Sequence, residues 1–392
     1  MDIVRHVLNH TLKSYLLILF LSSFLVTESY AVNVYGSGFS YLGSAEHVES
    51  AFPYTQKLSL NENLETSFDA AFLRKVKDEK FNFNYIIKDL ASLGDEEALT
   101  FTLALQQEKT SIEEIGGVFK VLIELEAQLL FFDFNSMSIV ASYPINLQYI
   151  DVSEETPSEN YIEQKFNDIY FGSSKINFFD IAVERLKAVR IKKRYSNYIQ
   201  VVNSSISDSV LNLSPNKSKG ESRRLSQYYA QSFSQLMSSN QDISVLPYMK
   251  GHAIGSKLSG RYANGEVYSL EIPEPDYAVD INIAAFKKKL FSENKSGKSF
   301  IYAAQAEFNF YEPLSQRTYF HKKLFNGATK VIPSSQVIVD DWAAYNDSLK
   351  ILFDKFTRQL GMPSKKWLKK HSGSSDGYKS FLTLKKVIDQ CR

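Results

Sequence analysis

The sequence predicts an α+β protein made of two similar α/β units, each an antiparallel-rich sheet packed by amphipathic helices. Three observations lead there. Strict apolar–polar alternation runs through residues 118–149, a second alternating set covers 276–325, and apolar residues recur at helical spacing after each set. With 44% apolar residues, the 392-residue chain can bury a large core. Its 28 Phe and 23 Tyr suit sheet faces.

The N-terminal 31 residues read as a cleavable signal peptide. Arg5 and Lys13 precede an apolar stretch, Tyr15 to Val26, and Ser29-Tyr30-Ala31 offers small residues for cleavage. Twelve apolar residues reach roughly 18 Å as a helix, short of the ~30 Å hydrocarbon core. The position after cleavage is Val32, so the cysteine that bacterial lipidation needs is missing there. A periplasmic or secreted location is the expectation.

The first unit is expected over residues 32–190. Gly36-Ser37-Gly38 reads as a flexible start, because it lacks any phosphate-binding pattern. Leu64, Phe68, Phe72 and Val76 mark a helix, and strands follow through Phe81–Leu90 and Leu99–Leu105. Gln106 to Gly117 is charged and reads as a loop. Phe119, Val121, Ile123, Leu125, Ala127, Leu129 and Phe131 then share one strand face, with Lys120, Glu124, Glu126 and Gln128 on the other. Asn135-Ser136 turns the chain into a second alternating strand through Tyr149. Helices over 158–171 and 177–189 close the unit.

The second unit, 191–361, repeats this order as a pattern rather than as identity, which suggests an internal duplication. Asn203 to Lys219 is expected as a loop, and Leu225, Tyr229, Phe233 and Leu236 as a helix. Ile243–Pro247, Asp276–Phe286, Phe300–Phe310 and Arg317–Phe325 read as strands, with a charged loop at Lys287–Lys298. Trp342, Tyr345, Leu349, Leu352, Phe353, Phe356 and Leu360 form a closing helix, stopped by Gly361 and Pro363. Residues 362–392 remain as a basic extension, and its Cys391 is expected to be an idle thiol on a mobile tail. A single cysteine excludes any disulfide within the chain.

The inventory of chemistry is sparse, and no catalytic residue, metal ligand or cofactor motif is assigned. His47, His252, His321 and His371 have no metal-site spacing. His321 reads as a cross-strand surface residue. No GxSxG nucleophile turn occurs. Asp340-Asp341 precedes the closing helix, where acids cap free amides. Glu124 and Glu126 lie two apart on a polar strand face, where a carboxylate pair is geometrically conceivable. A net charge of +1 and the expected compartment argue against nucleic acid. Local basic clusters are the candidate binding residues: Lys287, Lys288 and Lys289, and Lys365, Lys366, Trp367, Lys369 and Lys370 in the extension. They suit an acidic partner, or peripheral contact with an anionic envelope surface.

Between residues 221 and 360, five segments carry a resemblance: ESRRLSQYYAQSFSQLMSS, ISVLP, DYAVDINIAAF, FIYAAQAEFNF and WAAYNDSLKILFDKFTRQL. Their order is similar to the periplasmic α/β domain shared by the curli-secretion lipoprotein, the lipoprotein activators of penicillin-binding proteins, and the N-terminal domains of TolB-like and flagellar-assembly envelope proteins. The resemblance is one of topology, and the first half shows a vaguer copy. It implies a non-catalytic protein that scaffolds or activates others through protein contacts, and it supplies no catalytic residues. The leading expectation is therefore an exported accessory protein binding cell-envelope proteins, its partner and oligomeric state unspecified. The alternative is a hydrolase of envelope polysaccharide or peptide using carboxylates on a sheet face, which a cleft gathering Glu124, Glu126 or Asp280 would favour. A ligand-binding protein with one apolar, aromatic-lined cavity between the halves is a third expectation.

Overall fold

The computed structural model describes residues 32–392 apart from 44–47, 49–50, 61–66, 88–97, 116, 173–175, 193, 216–219, 249–252, 255–256, 263–265, 335 and 337–338. The expected signal peptide, His47 and His252 lie outside the described residues. The protein is α+β, as the sequence predicts. Among the described residues, no helix is long and apolar enough to cross a membrane.

The described residues open in β1 (Asn33–Leu42), where the expected flexible Gly-Ser-Gly stretch is instead strand. Its ladder with the third strand breaks register between Gly36 and Phe39, as a bulge does. Gly38 takes φ +91°, and a Cβ there would meet Asp69 Oδ1 at 2.4 Å. The Asp69 carboxylate accepts the Phe39 amide, so the glycine opens room for that bond.

Helices α1 (Pro53–Leu60) and α2 (Phe68–Val76) follow, then the short β2 (Asn84–Ile86). Three long strands come next: β3 (Leu99–Ile115), β4 (Val118–Asp133) and β5 (Ser138–Ser153), paired antiparallel. The expected face of β4, Val121 to Phe131, is fully buried. It packs through Phe131 and Phe101 (5.2 Å between ring centres) to Phe72 of α2 (6.0 Å from Phe101).

The expected loop at Gln106–Gly117 is a correction. Strand β3 continues to Ile115, and its charges sit opposite charges of β4. Lys109 faces Glu124 and Glu113 faces Lys120, at 3.2 and 3.0 Å. Opposite charges paired across a ladder favour strand where charge alone suggests loop.

Helices α3 (Glu159–Phe171) and α4 (Phe178–Ala188) close this half as expected. Asn177 caps α4, accepting from the Phe179 and Asp180 amides, and donates to the Tyr170 and Gly172 carbonyls. It is buried, so Asn177→Ala is expected to cost about 2 kcal/mol, at the upper end for a cap. Urea unfolding measures this, and a loss near zero would show that water satisfies these groups.

In the second half, β6 (Ile199–Ile206) runs parallel to the long β10 (Tyr277–Asn294). The expected loop at 203–219 is thus partly strand, followed by the one-turn α5 (Asp208–Leu211). Helix α6 (Glu221–Gln241) follows, then β7 (Ala253–Ile254), β8 (Lys257–Tyr262) and β9 (Val267–Glu271). These three strands join the first sheet, whose order is β2-β1-β3-β4-β5-β9-β8-β7, with β1 also pairing β8. The first sheet therefore curls into a ring filled by Leu42, Leu130, Phe132, Leu258 and Leu270.

Strands β11 (Gly297–Glu312) and β12 (Arg317–Pro333) complete the second sheet, β12-β11-β10-β6. The expected loop at Lys287–Lys298 is also a correction, because β10 and β11 continue through it to a turn at 295–296. Glu293 pairs Lys298 across that ladder. Helix α7 (Asp341–Gly361), capped by Asp340, lays Leu349, Leu352, Phe353, Phe356 and Leu360 on the core.

The C-terminal extension is ordered too. Helices α8 (Lys365–Ser372) and α9 (Tyr378–Gln390) pack Leu368, Phe381, Leu384 and Ile388 into the same core. Cys391 is 2% exposed, against the expectation of a mobile tail, and burial pushes its thiol up to about 12. The thiol is therefore expected to resist a disulfide reagent at pH 8 and to react once the protein is unfolded. Fast labelling of the native protein would mean that α9 frays.

Candidate functional site

The polar face of β4 leaves the ring and meets helices α6 and α7. Gln128 donates to Gln106 and to Gln231 of α6, at 2.8 and 2.9 Å, and accepts from Ser142. Farther along the same face a cleft of about 400 Å³ opens between β3–β4–β5 and the two helices. Its charges are Lys109, Glu113, Lys120 and Glu124 from the sheet, Glu221 and Arg224 from α6, and Asp340, Asp347 and Lys350 at α7. The expectation of one apolar, aromatic-lined cavity is not met by this charged cleft.

Most of these charges satisfy one another. Lys109 pairs Glu124, Lys120 bridges Glu113 and Asp340, Arg224 clasps Glu221 at 2.6 Å, and Asp347 holds Lys330. Glu124 also accepts from Gln148. Burial pushes Glu124 upward, but Lys109, the Gln148 amide and Lys350 outweigh it and leave the carboxyl below its ordinary range.

Glu126, two residues along the same face, is the opposite case. Neither of its oxygens has a hydrogen-bond partner among the described residues. Burial, reinforced by the Glu124 charge, holds its carboxyl well above the ordinary range, against the pull of Lys350, Lys109 and Arg224. Between its unfolded and folded titrations the folded chain binds the extra proton, so stability falls as pH rises through that window. Glu126→Gln removes this term. The stability difference between Glu126→Gln and wild type is expected to grow from pH 4 to pH 8 in urea titrations. A difference independent of pH would mean that Glu126 titrates normally.

Asp280 lies elsewhere, on the second sheet, with its carboxylate accepting from Asn309 at 3.4 Å. His321 pairs Glu307 on that sheet, as a cross-strand surface residue does. Among the described residues no group of three or more His, Cys, Asp or Glu could hold a metal ion.

The binding residues expected from sequence fall on two elements. Lys287, Lys288 and Lys289 open the far end of β10, where eight successive residues, 287–294, are exposed. Successive strand residues face opposite sides, so both sides of this arm carry exposed residues. Lys288 turns toward α7, where it bonds Asp341 at 2.8 Å and lies 4.4 Å above the Phe300 ring. Lys287 and Lys289 point to the other side. The arm also exposes Leu290 (45%), Phe291 (68%) and Val331 (71%).

Lys365, Lys366, Lys369 and Lys370 are exposed on α8, which docks beside β12 through His371 Nδ1 and the Phe325 carbonyl at 2.8 Å. Leu368 is fully buried and Trp367 stacks on His371 at 4.6 Å. The apolar residues of this segment therefore face inward, leaving a purely basic outer face. Sequence reasoning missed Lys109, Lys350, Arg224 and Tyr228 in the cleft. The opposite signs of Lys109 and Glu113 against Glu124 and Lys120 were the available signal.

No family model matches the chain, and no curated protein matches it. Among solved structures, a Xanthomonas campestris protein described by the family model DUF330 aligns over 49% of this chain and 88% of its own. Its sequence identity is 12% and its TM-score 0.22. A homologue of a neuraminyllactose-binding hemagglutinin from Helicobacter pylori aligns over 46% of this chain and 91% of its own, at 14% identity and a TM-score of 0.25. At such scores neither neighbour bears on what this chain does.

Proposed function

We propose that this chain is an exported protein that works by binding other proteins of the cell envelope. It would be cleaved after Ala31 and built from two duplicated units, 32–190 and 191–361, with 362–392 folded onto the second. The observation that carries the reading is the basic arm at the end of the second sheet. It combines Lys287 and Lys289 with exposed Leu290, Phe291 and Val331, the mixture that a protein partner with an acidic rim and apolar centre complements. Strand β12 is the outer strand of its sheet, so its free edge beyond Phe325 can also take an added strand. Crosslinking and affinity capture from the native envelope tests this. Recovery of one secretion, flagellar or cell-wall assembly supports it, and recovery of the chain alone contradicts it.

One observation favours a second reading, hydrolysis of envelope polysaccharide or peptide. Glu124, which lines the cleft, and Glu126, on the same strand face but buried outside its lining, are pushed in opposite directions, the division of labour between base and acid. Two residues along a strand place them roughly 7 Å apart. Turnover of cell-wall fragments that vanishes in both Glu124→Gln and Glu126→Gln would establish it, and absence of turnover in wild type would remove it.

A further inference from the structure

The charges that line the cleft pair off and leave one cation over. Lys109 pairs Glu124, Lys120 bridges Glu113 and Asp340, Arg224 holds Glu221, and Asp347 goes to Lys330 outside the lining. Lys350 of α7 lines the same cleft, and among the described residues no carboxylate lies within ion-pair distance of its ammonium. Glu124, Asp347 and Glu126 act on it through space. The ammonium lies 5.2 Å from the centre of the Tyr228 ring. That contact replaces part of its lost hydration but offers its N–H groups no acceptor. Lys350 also lines a second cavity of about 400 Å³ that shares Gln148 with the cleft, so it stands at their junction.

Burial pushes Lys350 down, as it does an ammonium whose charge is not fully answered. Water in the cleft can serve its N–H groups and leaves the charge uncompensated. A carboxylate serves both, through a charge-assisted hydrogen bond in surroundings of low dielectric. The surplus is one positive charge with Glu124 and Asp347 close by, so a second negative charge at the same point is repelled. The rest of the lining bears on the remainder of the ligand. Leu122 of β4 and Ile150 of β5 are cross-strand partners, and with Leu225 of α6 and Trp342 of α7 they form an apolar wall. The cleft, at about 400 Å³, falls in the range of small-molecule sites.

We propose that this cleft binds a small organic monocarboxylate with an apolar body, its carboxylate on the Lys350 ammonium and its body against Leu122, Ile150 and Trp342. A free aliphatic acid and the C-terminus of a short peptide share this chemistry. The site requires neither a protein contact at the arm nor turnover at Glu124, and so goes beyond both readings above.

Titration calorimetry of the full chain at pH 7 tests it. The probes are hexanoate and N-acetyl-L-alanyl-L-alanine, each also as its amide, and butylmalonate, which doubles the charge of hexanoate at one carbon. At least one monocarboxylate is expected to bind with Kd below about 1 mM, and its amide roughly tenfold more weakly or worse. Butylmalonate is expected to bind more weakly than hexanoate. Which monocarboxylate binds more tightly separates the free acid from the peptide end. Lys350→Gln is expected to bring each carboxylate down to the level of its amide. The place of binding is read by mass spectrometry on wild-type protein, so the test survives a variant that fails to fold. There the bound carboxylate is expected to slow acetylation of Lys350 by an N-hydroxysuccinimide ester and to leave that of the exposed Lys366 unchanged. Absence of binding by both monocarboxylates at about 10 mM, or equal binding of acid and amide, would overturn the proposal. So would binding that leaves Lys350 acetylation unchanged, or tighter binding of butylmalonate than of hexanoate. Partner capture through the arm is independent of all these results.

Discussion

Replacing Phe356 by alanine is expected to destabilise the protein by about 3–5 kcal/mol, the range for an aromatic ring removed from a packed core. The ring is fully buried on α7 and lies 4.5 Å from Phe308 and 5.6 Å from Phe320, centre to centre. It also reaches Phe381 of α9 at 5.9 Å and Trp367 of α8 at 6.1 Å. One side chain therefore joins the second sheet, its closing helix and the C-terminal extension. Urea unfolding at constant m-value measures the loss. A cost below about 1 kcal/mol, the level of an ordinary surface change, would mean that these elements do not share one core.

The second large effect is on binding rather than stability. Lys287→Glu, Lys289→Glu and Phe291→Ser together reverse the arm's charge and remove its most exposed ring. Lys287, Lys289 and Phe291 lie in the exposed stretch of β10, so unfolding free energy is expected to change by less than about 1 kcal/mol. Partner capture is expected to fall roughly tenfold or more, the loss of a few interface contacts including an aromatic anchor. Unchanged capture by the triple variant would place the interface elsewhere. Capture lost together with stability would show instead that the arm belongs to the core.

How much of this was legible in sequence depends on what each residue's neighbours are. The β4–β5 hairpin is plain because one face touches only apolar partners, so Val121 through Phe131 alternate without interruption. The caps Ser158, Asn177 and Asp340 act within a few residues and mark their helices. Charged strand ends are harder to read. Lys109 looks solvated until Glu124, 15 residues away, is seen opposite it. The same holds for the extension, where Phe381, Leu384, Val387 and Ile388 recur at helical spacing among lysines that conceal it. Strands β8 and β9 are short, and it is pairing with each other and with the distant β1 and β5 that makes them strands.

The cleft was the least legible part. Glu124 and Glu126 stand out as a polar pair on a strand, but nothing in their own segment says whether that face is wet. The answer comes from Tyr228 and Lys350 on helices α6 and α7, about 100 and 220 positions later in the chain. Those helices spend their apolar faces on the second sheet and turn polar flanks toward the first. A sequence pattern reports each helix's core face and reads such a flank as solvent.

The central claim, that the arm is the contact surface for envelope proteins, is tested most directly by site-specific photocrosslinking in the native envelope. A photoreactive residue is placed singly at Phe291, at Val331 and at Leu314. Leu314 is 97% exposed in the β11–β12 turn, at the opposite end of the second sheet from the arm. The expected result is one shared protein adduct from positions 291 and 331 and none from 314. Adducts from 314 but not from 291 or 331 would contradict the claim.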